Sequence, residues 1–427
     1  MRSVIVIIFL SIVIGLSAVL FPESMLISIG LVATYLMLNI ASNYLFSRFD
    51  VFSPEITYSG VYLAYFFIGS LPLLGVDYLF KNGLYYLIGI VSFLLGGLYL
   101  KIIKVKMNEL QINYHLLAMY GFSLFIVGLV FTVVIFVSYG VPMLEAENEI
   151  RHNVSSYFMY LALLNWLGTI LFYASSIKLS KYRLTVHVMI GLSAFILFLL
   201  GYRTPLLTFL IILLLMRHYL IQRINIKKIL IICLLLFIIL GSFSYFRIVA
   251  RDGTEVFQEK YGSVIKMNLL QPIIPALLTV QEGPKIFYEL RGKVPDLQDF
   301  YYGKVISSSF LSILPGDNLS ARQYVGLLTG TRYINGTLNT ITPSVLGSLY
   351  VDFGLLGIIF GMFLTGALLQ YYYKCLKVKR DVFSILIYSY LLVMNLNIIH
   401  SGFLDPIHIM FLLLIFFIRF LVTTRGG

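Results

Sequence analysis

The chain has 427 residues, 59% of them hydrophobic and only 12% charged, a balance that suits a polytopic membrane protein and excludes a soluble globule. Only two cysteines occur, Cys233 in an apolar run and Cys375 in a basic loop, so no disulfide framework is suggested. The net charge of +12 would suit nucleic-acid binding, but basic inner loops of a membrane protein give the same number, and no nucleic-acid partner is inferred.

About 20 consecutive apolar residues cross a bilayer, and on that measure the sequence predicts about twelve spans. The first, Val4–Leu20, reads as a retained helix: it is long for a signal peptide and no clear small-residue cleavage site follows. Spans 2 and 3 cover Met25–Phe46 and Ile56–Leu74, joined by the polar turn Ser47–Glu55. Span 4, Leu84–Ile103, ends among Lys101, Lys104 and Lys106. Span 5, Leu116–Tyr139, leads into a loop of different character, Gly140–Ser155, which holds Glu145, Glu147, Glu149, Arg151 and His152. Span 6, Ser156–Ser176, is followed by Lys178, Lys181 and Arg183.

The next apolar run, Leu184–Leu220, is too long for one helix. Gly201 and Pro205 divide it into spans 7 and 8 and leave Tyr202 and Arg203 at the tip of a helical hairpin. An arginine at that depth is a functional-site hypothesis by default. Arg217, Arg223, Lys227 and Lys228 close the hairpin, and span 9 covers Ile229–Phe246.

The apolar pattern then stops from Arg247 to Ser344. Pro272, Pro275, Pro284, Pro295 and Pro315 chop this stretch into short apolar and aromatic pieces, expected to lie on the surface and cap a cavity. It is a loop subdomain of a chain that otherwise forms one transmembrane domain. Span 10 covers Phe353–Tyr372 and is followed by Lys374, Lys377, Lys379 and Arg380. Span 11 covers Val382–Ile399, a short turn His400–Pro406 follows, and span 12 is Ile407–Leu421.

Twelve spans put both termini on one side, and the basic clusters fall on alternate loops of that side, so the positive-inside rule makes both termini cytoplasmic. The acidic loop, Arg203, the long loop and His400–Pro406 then face outward. The cytoplasmic loops are too short for a nucleotide-binding domain, and neither a P-loop nor a dinucleotide fingerprint is present. No nucleotide pool exists outside a bacterial cell, so a transferase acting there needs a pre-activated donor such as a lipid-diphosphate-linked sugar.

Four stretches resemble the bacterial Wzy-type polymerases that join oligosaccharide repeat units of O-antigen and capsule. They are Phe49–Glu55, Gly140–Leu144 with Arg151, the Gly201-Tyr202-Arg203-Thr204 break, and Thr342–Gly354. The resemblance implies an all-α, GT-C-like membrane glycosyltransferase of the plasma membrane. It would move the growing glycan from its undecaprenyl-diphosphate carrier onto a new unit, with a chain-length regulator as a further partner. A ligase using the same donor and a lipid-linked glycan flippase are the alternatives; the scarcity of ionisable residues in the spans and the lack of repeat halves count against the flippase.

Such a transfer must stabilise the leaving diphosphate, and the planar fork of arginine suits that task. Arg203 with Arg247 and Arg251 is the expected grip, with Arg151 as a further candidate among outer arginines that include Arg291, Arg322 and Arg332. His400, at the end of span 11, is the expected general base; Asp352, Asp405 and His152 are the other candidates. Tyr202 and Tyr301 are expected to contact substrate, and Tyr301, Tyr302, Tyr324 and Tyr333 could stack on sugar faces. No dense carboxylate or histidine cluster suits a metal, so no cofactor is expected and arginine charge would do the work of a divalent ion.

Overall fold

The computed structural model describes residues 50–70, 78–102, 110–143, 154–201, 203–225, 227–229, 231–232, 235, 249, 274–311, 319–330 and 341–425. Spans 1 and 2 and most of span 9 lie outside these residues. In chain order the helices are α1 (Pro54–Leu63), α2 (Tyr78–Ile102), α3 (Tyr114–Tyr139), α4 (Ser156–Ala162), α5 (Leu164–Leu179), α6 (Arg183–Leu199) and α7 (Arg203–Leu220). After these come α8 (Ile274–Arg291), α9 (Lys304–Leu311), α10 (Ala321–Thr329), α11 (Ser344–Lys379), α12 (Val382–Ser401) and α13 (Pro406–Val422). A short antiparallel ribbon, β1 (Leu110–Ile112) with β2 (Thr423–Arg425), ties the end of the chain to the start of α3. Among the described residues five segments are long and apolar enough to cross a membrane, 81–101, 114–139, 156–179, 344–379 and 382–401; α6, α13 and the 204–220 part of α7 are shorter apolar helices.

Local chemistry explains most boundaries. Pro54 opens α1, where the missing N–H of proline costs nothing. Asn113 and Asp381 cap α3 and α12, their side chains accepting from Leu116 N and Ser384 N. Gly402 ends α12 with a positive φ of 83°. Gly201, at φ 68°, supplies the break between α6 and α7 that the sequence predicts, and Pro205 sits in the first turn of α7.

α12 is the central helix. It is apolar on all sides, and its residues from Val382 to Met394 are buried, including Tyr388 and Tyr390. α1, α7, α11 and α13 surround it. Peripheral helices instead present apolar stripes outward at helical spacing: Met119, Phe122, Ile126, Val130, Val133 and Val137 on α3, and Leu413, Phe417 and Phe420 on α13. A packed core with apolar residues on its outside marks an integral membrane protein.

Small residues set the closest crossing. Between α2 and α11, a Cβ on Gly96 would run into the Phe363 carbonyl, and one on Gly366 into the Phe93 carbonyl. The two backbones therefore meet through a reciprocal glycine pair, as small residues allow in membranes. Replacing Gly366 with leucine must push α2 and α11 apart. It is expected to cost about 3 kcal/mol or more, read as a lower melting temperature of the detergent-purified protein.

Lys101, Lys374 and Lys377 meet at one end of the bundle. Lys374 Nζ donates to the carbonyls of Leu100 and Lys101 at 2.6 and 2.8 Å, and Lys101 pairs with the buried Glu55 at 2.6 Å. At the same end the buried Asp50 carboxylate receives Lys377 Nζ at 2.5 Å, Tyr373 Oη at 2.9 Å, Tyr219 Oη at 3.1 Å and the Phe52 backbone N–H at 3.1 Å. This polar knot joins the entry of α1 to the ends of α7 and α11. Burial pushes the Asp50 carboxyl up, but the Lys377 and Tyr373 bonds outweigh it and hold the group below its usual 3.8. A carboxylate depressed in the folded state contributes stability above its unfolded pKa and loses it as pH falls through the folded one. Thermal melting followed from about pH 6 to about pH 3 should therefore show wild-type protein losing stability below pH ~4. The Asp50→Asn variant should start lower and lose less over that window.

Span 10 differs from its expected form. Helical structure begins at Ser344, nine residues before the expected Phe353, and Phe353 and Gly354 break it, with Gly354 at φ 62° and ψ −145°. The chain doubles back there. A Cβ on Gly357 would meet the Leu349 carbonyl, and one on Gly361 the Leu349 side chain; in a straight helix residues 349 and 361 would be about 18 Å apart. α11 thus has a short arm, Ser344–Asp352, and a long arm from Leu355 to Lys379. The glycine supplies the backbone conformation and the buried short arm fills the bundle, a combination that hydropathy alone does not register.

Candidate functional site

The end opposite the basic cluster gathers the titratable groups of interest. His400 is the single histidine of α12 and sits one turn beyond Asn397, whose Nδ2 donates to Thr208 Oγ1 of α7 at 2.9 Å. The π-helical turn Ala64–Ile68 that follows α1 delivers Tyr65, whose hydroxyl lies 2.9 Å from His400 Nδ1. The two rings meet edge to face, 5.8 Å apart. In the tautomer whose Nδ1–H donates to Tyr65, Nε2 carries the lone pair and can accept a proton.

α8 crosses this turn. Gly283 rests directly on the Tyr65 hydroxyl, where any Cβ would collide with it, and the preceding residue is Glu282. Glu282 stands within electrostatic reach of Tyr65, Lys285 and Arg322. Burial lifts its carboxyl above the ordinary value, against the pull of Lys285 and Arg322. Arg322 of α10 completes the group: it lies over the Phe403 ring at 5.0 Å, 4.0 Å from Asp405, and within electrostatic reach of His400. A histidine, a carboxylate with raised affinity for a proton and a half-exposed guanidinium thus share one corner. That set can move a proton and hold an anion.

The expected site residues fall out as follows. His400 stands in this corner. Arg203 is the first residue of α7, on the helix bonded to α12 through Thr208 and Asn397. At 1.5 Å per residue, Arg203 lies about 7.5 Å and His400 about 4.5 Å beyond that bond toward the same end. Tyr202, Arg151, Arg247 and Arg251 lie outside the described residues, as do His152 and Tyr333. Tyr301 packs its ring on Tyr324, 5.6 Å away, and its N–H bonds the Val351 carbonyl. Arg291 is engaged with the Lys81 carbonyl at 2.7 Å and Asn82 Oδ1 at 2.9 Å, stacked over Tyr85. Among the described residues no group of three or more His, Cys, Asp or Glu side chains comes together as metal ligands would.

Asp352 has a different occupation. It is fully buried, and its two oxygens accept from Val305 N at 3.0 Å and Ile306 N at 2.8 Å, capping the first turn of α9. Its backbone carbonyl accepts from Tyr302 N at 3.0 Å. Sequence reasoning also passed over Tyr65 and Glu282. The first sits inside an apolar run, and the second is a lone carboxylate in a long polar loop, so neither carries a local signal.

The family model "Putative O-antigen polymerase" matches residues 1–413 of the chain. A curated relative, an uncharacterized protein of Methanocaldococcus jannaschii, is 28% identical over 337 residues, covering 77% of this chain and 83% of its own length. No solved structure matches the chain.

The Asp352 geometry makes a prediction. Asp352→Ala should lower stability by about 1–2 kcal/mol, because α9 loses its cap and the break loses an anchor. Asp352→Asn, which keeps an acceptor oxygen, should recover part of the loss in melting temperature.

Proposed function

The chain belongs to the O-antigen polymerase family, and from that premise we propose that it polymerises oligosaccharide repeat units carried on a lipid diphosphate, at the outer face of the plasma membrane. In this reading both termini are cytoplasmic, about twelve spans form a single GT-C-like transmembrane domain, and residues 247–344 form the outer loop subdomain. The carrier is undecaprenyl diphosphate. Arg203, with Arg247, Arg251 and Arg151, neutralises the leaving diphosphate, and Arg322 joins them. His400 takes the proton from the acceptor hydroxyl as the glycosidic bond to the carrier breaks and the new one forms. Tyr202 and Tyr301 belong to the substrate side, and a separate protein regulates chain length. Arginine charge supplies the stabilisation that a metal ion provides in other transferases.

The observation that carries this reading is the meeting of His400, Tyr65, Glu282 and Arg322 at the end of the bundle away from the basic cluster. The positive-inside rule supports reading the end of Lys101, Lys374 and Lys377 as cytoplasmic and this corner as outside, where lipid-linked units are available. Arg203, on the helix bonded to α12, belongs to the same end.

The test is chain length in cells carrying Arg203→Ala or His400→Ala. Either variant should insert at wild-type levels yet accumulate single-unit glycan, with polymerisation reduced on the order of 100-fold or more. Wild-type chain lengths in both variants would contradict the assignment.

A further inference from the structure

The corner around His400 and Arg322 continues downward into a groove. The two arms of α11 diverge from the break at Phe353–Gly354, and between them lies a cavity of about 360 Å³. Val345, Ser348 and Leu349 of the short arm line it, as do Leu364, Thr365 and Leu368 of the long arm. α9, α12 and the turn Gly402–Leu404 close its other sides. Its volume falls within the ~300–1,000 Å³ range of small-ligand sites.

We propose that this groove holds the first part of a polyisoprenoid chain whose diphosphate sits at Arg322. The inference rests on the proposed function for the lipid-linked substrate and adds where its tail runs. Three observations choose the occupant. The lining is mainly apolar, and three of its polar side chains are engaged within the fold: Ser348 donates to the Gly402 carbonyl, Thr365 to the Gly361 carbonyl and Asn395 to the Leu391 carbonyl. The rim is lipid-facing, since Leu364 is 64% exposed on the outside of a membrane helix, so a chain can enter from the bilayer without crossing water.

The third observation is continuity. Phe403 forms part of the groove wall, and the Arg322 guanidinium lies over the same ring at 5.0 Å. A ligand that follows this ring from groove to corner must be apolar at one end and anionic at the other. A two-chain phospholipid has an anionic head as well, but a single unbranched path between two helix arms suits one chain.

The inference is tested by photolabelling. The full-length protein is reconstituted in phosphatidylethanolamine–phosphatidylglycerol vesicles with a polyprenyl diphosphate that carries a diazirine on an isoprene unit near the diphosphate. Mass spectrometry then maps the adducts. The expected label falls on Leu364, Thr365, Leu368 and Phe403, and excess unlabelled polyprenyl diphosphate removes it. Filling the groove with Thr365→Trp, or narrowing its mouth with Leu364→Trp, should cut labelling about tenfold. Leu413→Trp, on the outward stripe of α13, should leave it unchanged; gel-filtration profiles confirm that each protein is folded.

Label spread over the outward faces of α3 and α13 would overturn the inference. So would label that survives both groove variants, or that added phosphatidylglycerol removes as well as polyprenyl diphosphate does, which would mark an ordinary bilayer-lipid crevice. The two proposals fail separately. A protein that polymerises lipid-linked units yet labels elsewhere loses the tail path alone. A protein that labels in the groove yet never polymerises loses the polymerase reading and keeps a polyisoprenoid site.

Discussion

The hydrogen bonds of Asp352 hold the end of the bundle opposite the Asp50 knot in its shape. A break in a membrane helix frees carbonyls and amides that hydrocarbon cannot satisfy, so it survives only where protein supplies partners. Here the freed carbonyls of Val351 and Asp352 accept from the N–H groups of Tyr301 and Tyr302, each at 3.0 Å. In return the Asp352 side chain caps α9, the helix that the same loop leads into. One residue therefore takes part both in satisfying the break in α11 and in capping the loop helix α9. The fold-back of α11, the groove between its arms and the placement of α9 all follow from that exchange.

α12 carries the consequence across the bundle. Its far end is buried among aromatic residues near the Asp50 knot, where Tyr388 donates to the Phe52 carbonyl. Its near end closes at Gly402, whose carbonyl accepts from Ser348 of the short arm. A residue larger than glycine at 402 would strike Ser344 and Pro343. The helix that presents His400 is thus pinned to the short arm on one side and, through Asn397, to the helix of Arg203 on the other. In the proposed reading, preorganisation of this kind keeps a proton acceptor and an anion-binding group in register without reorganisation during reaction.

The sequence made the long apolar helices legible because hydropathy and length are local properties. α3, α4 together with α5, α7, α12 and α13 lie close to their expected bounds, and Lys101, Lys374 and Lys377, from two of the expected basic clusters, meet at one end. The Gly201 break was readable for the same reason. The short arm of α11 was not: Ser344–Asp352 has an ordinary composition, and only its contacts with Gly402 and Leu290 reveal that it enters the bundle. His400 was legible as a histidine at a helix end. Its partner Tyr65 lies 335 residues away in the chain, and Glu282 comes to the corner on α8, so pairing them required tertiary structure. Asp352 looked like a candidate base because burial and hydrogen bonding cannot be read from a lone aspartate.

The most direct measurement of the account is reconstitution of the purified protein with synthetic polyprenyl-diphosphate repeat units, with and without a chelator, followed by gel analysis of product length. The account predicts a ladder of lengthening glycans that persists in the chelator. A substrate that binds but is never extended would contradict it, and would leave the arginine and histidine corner as a binding site for a different transfer.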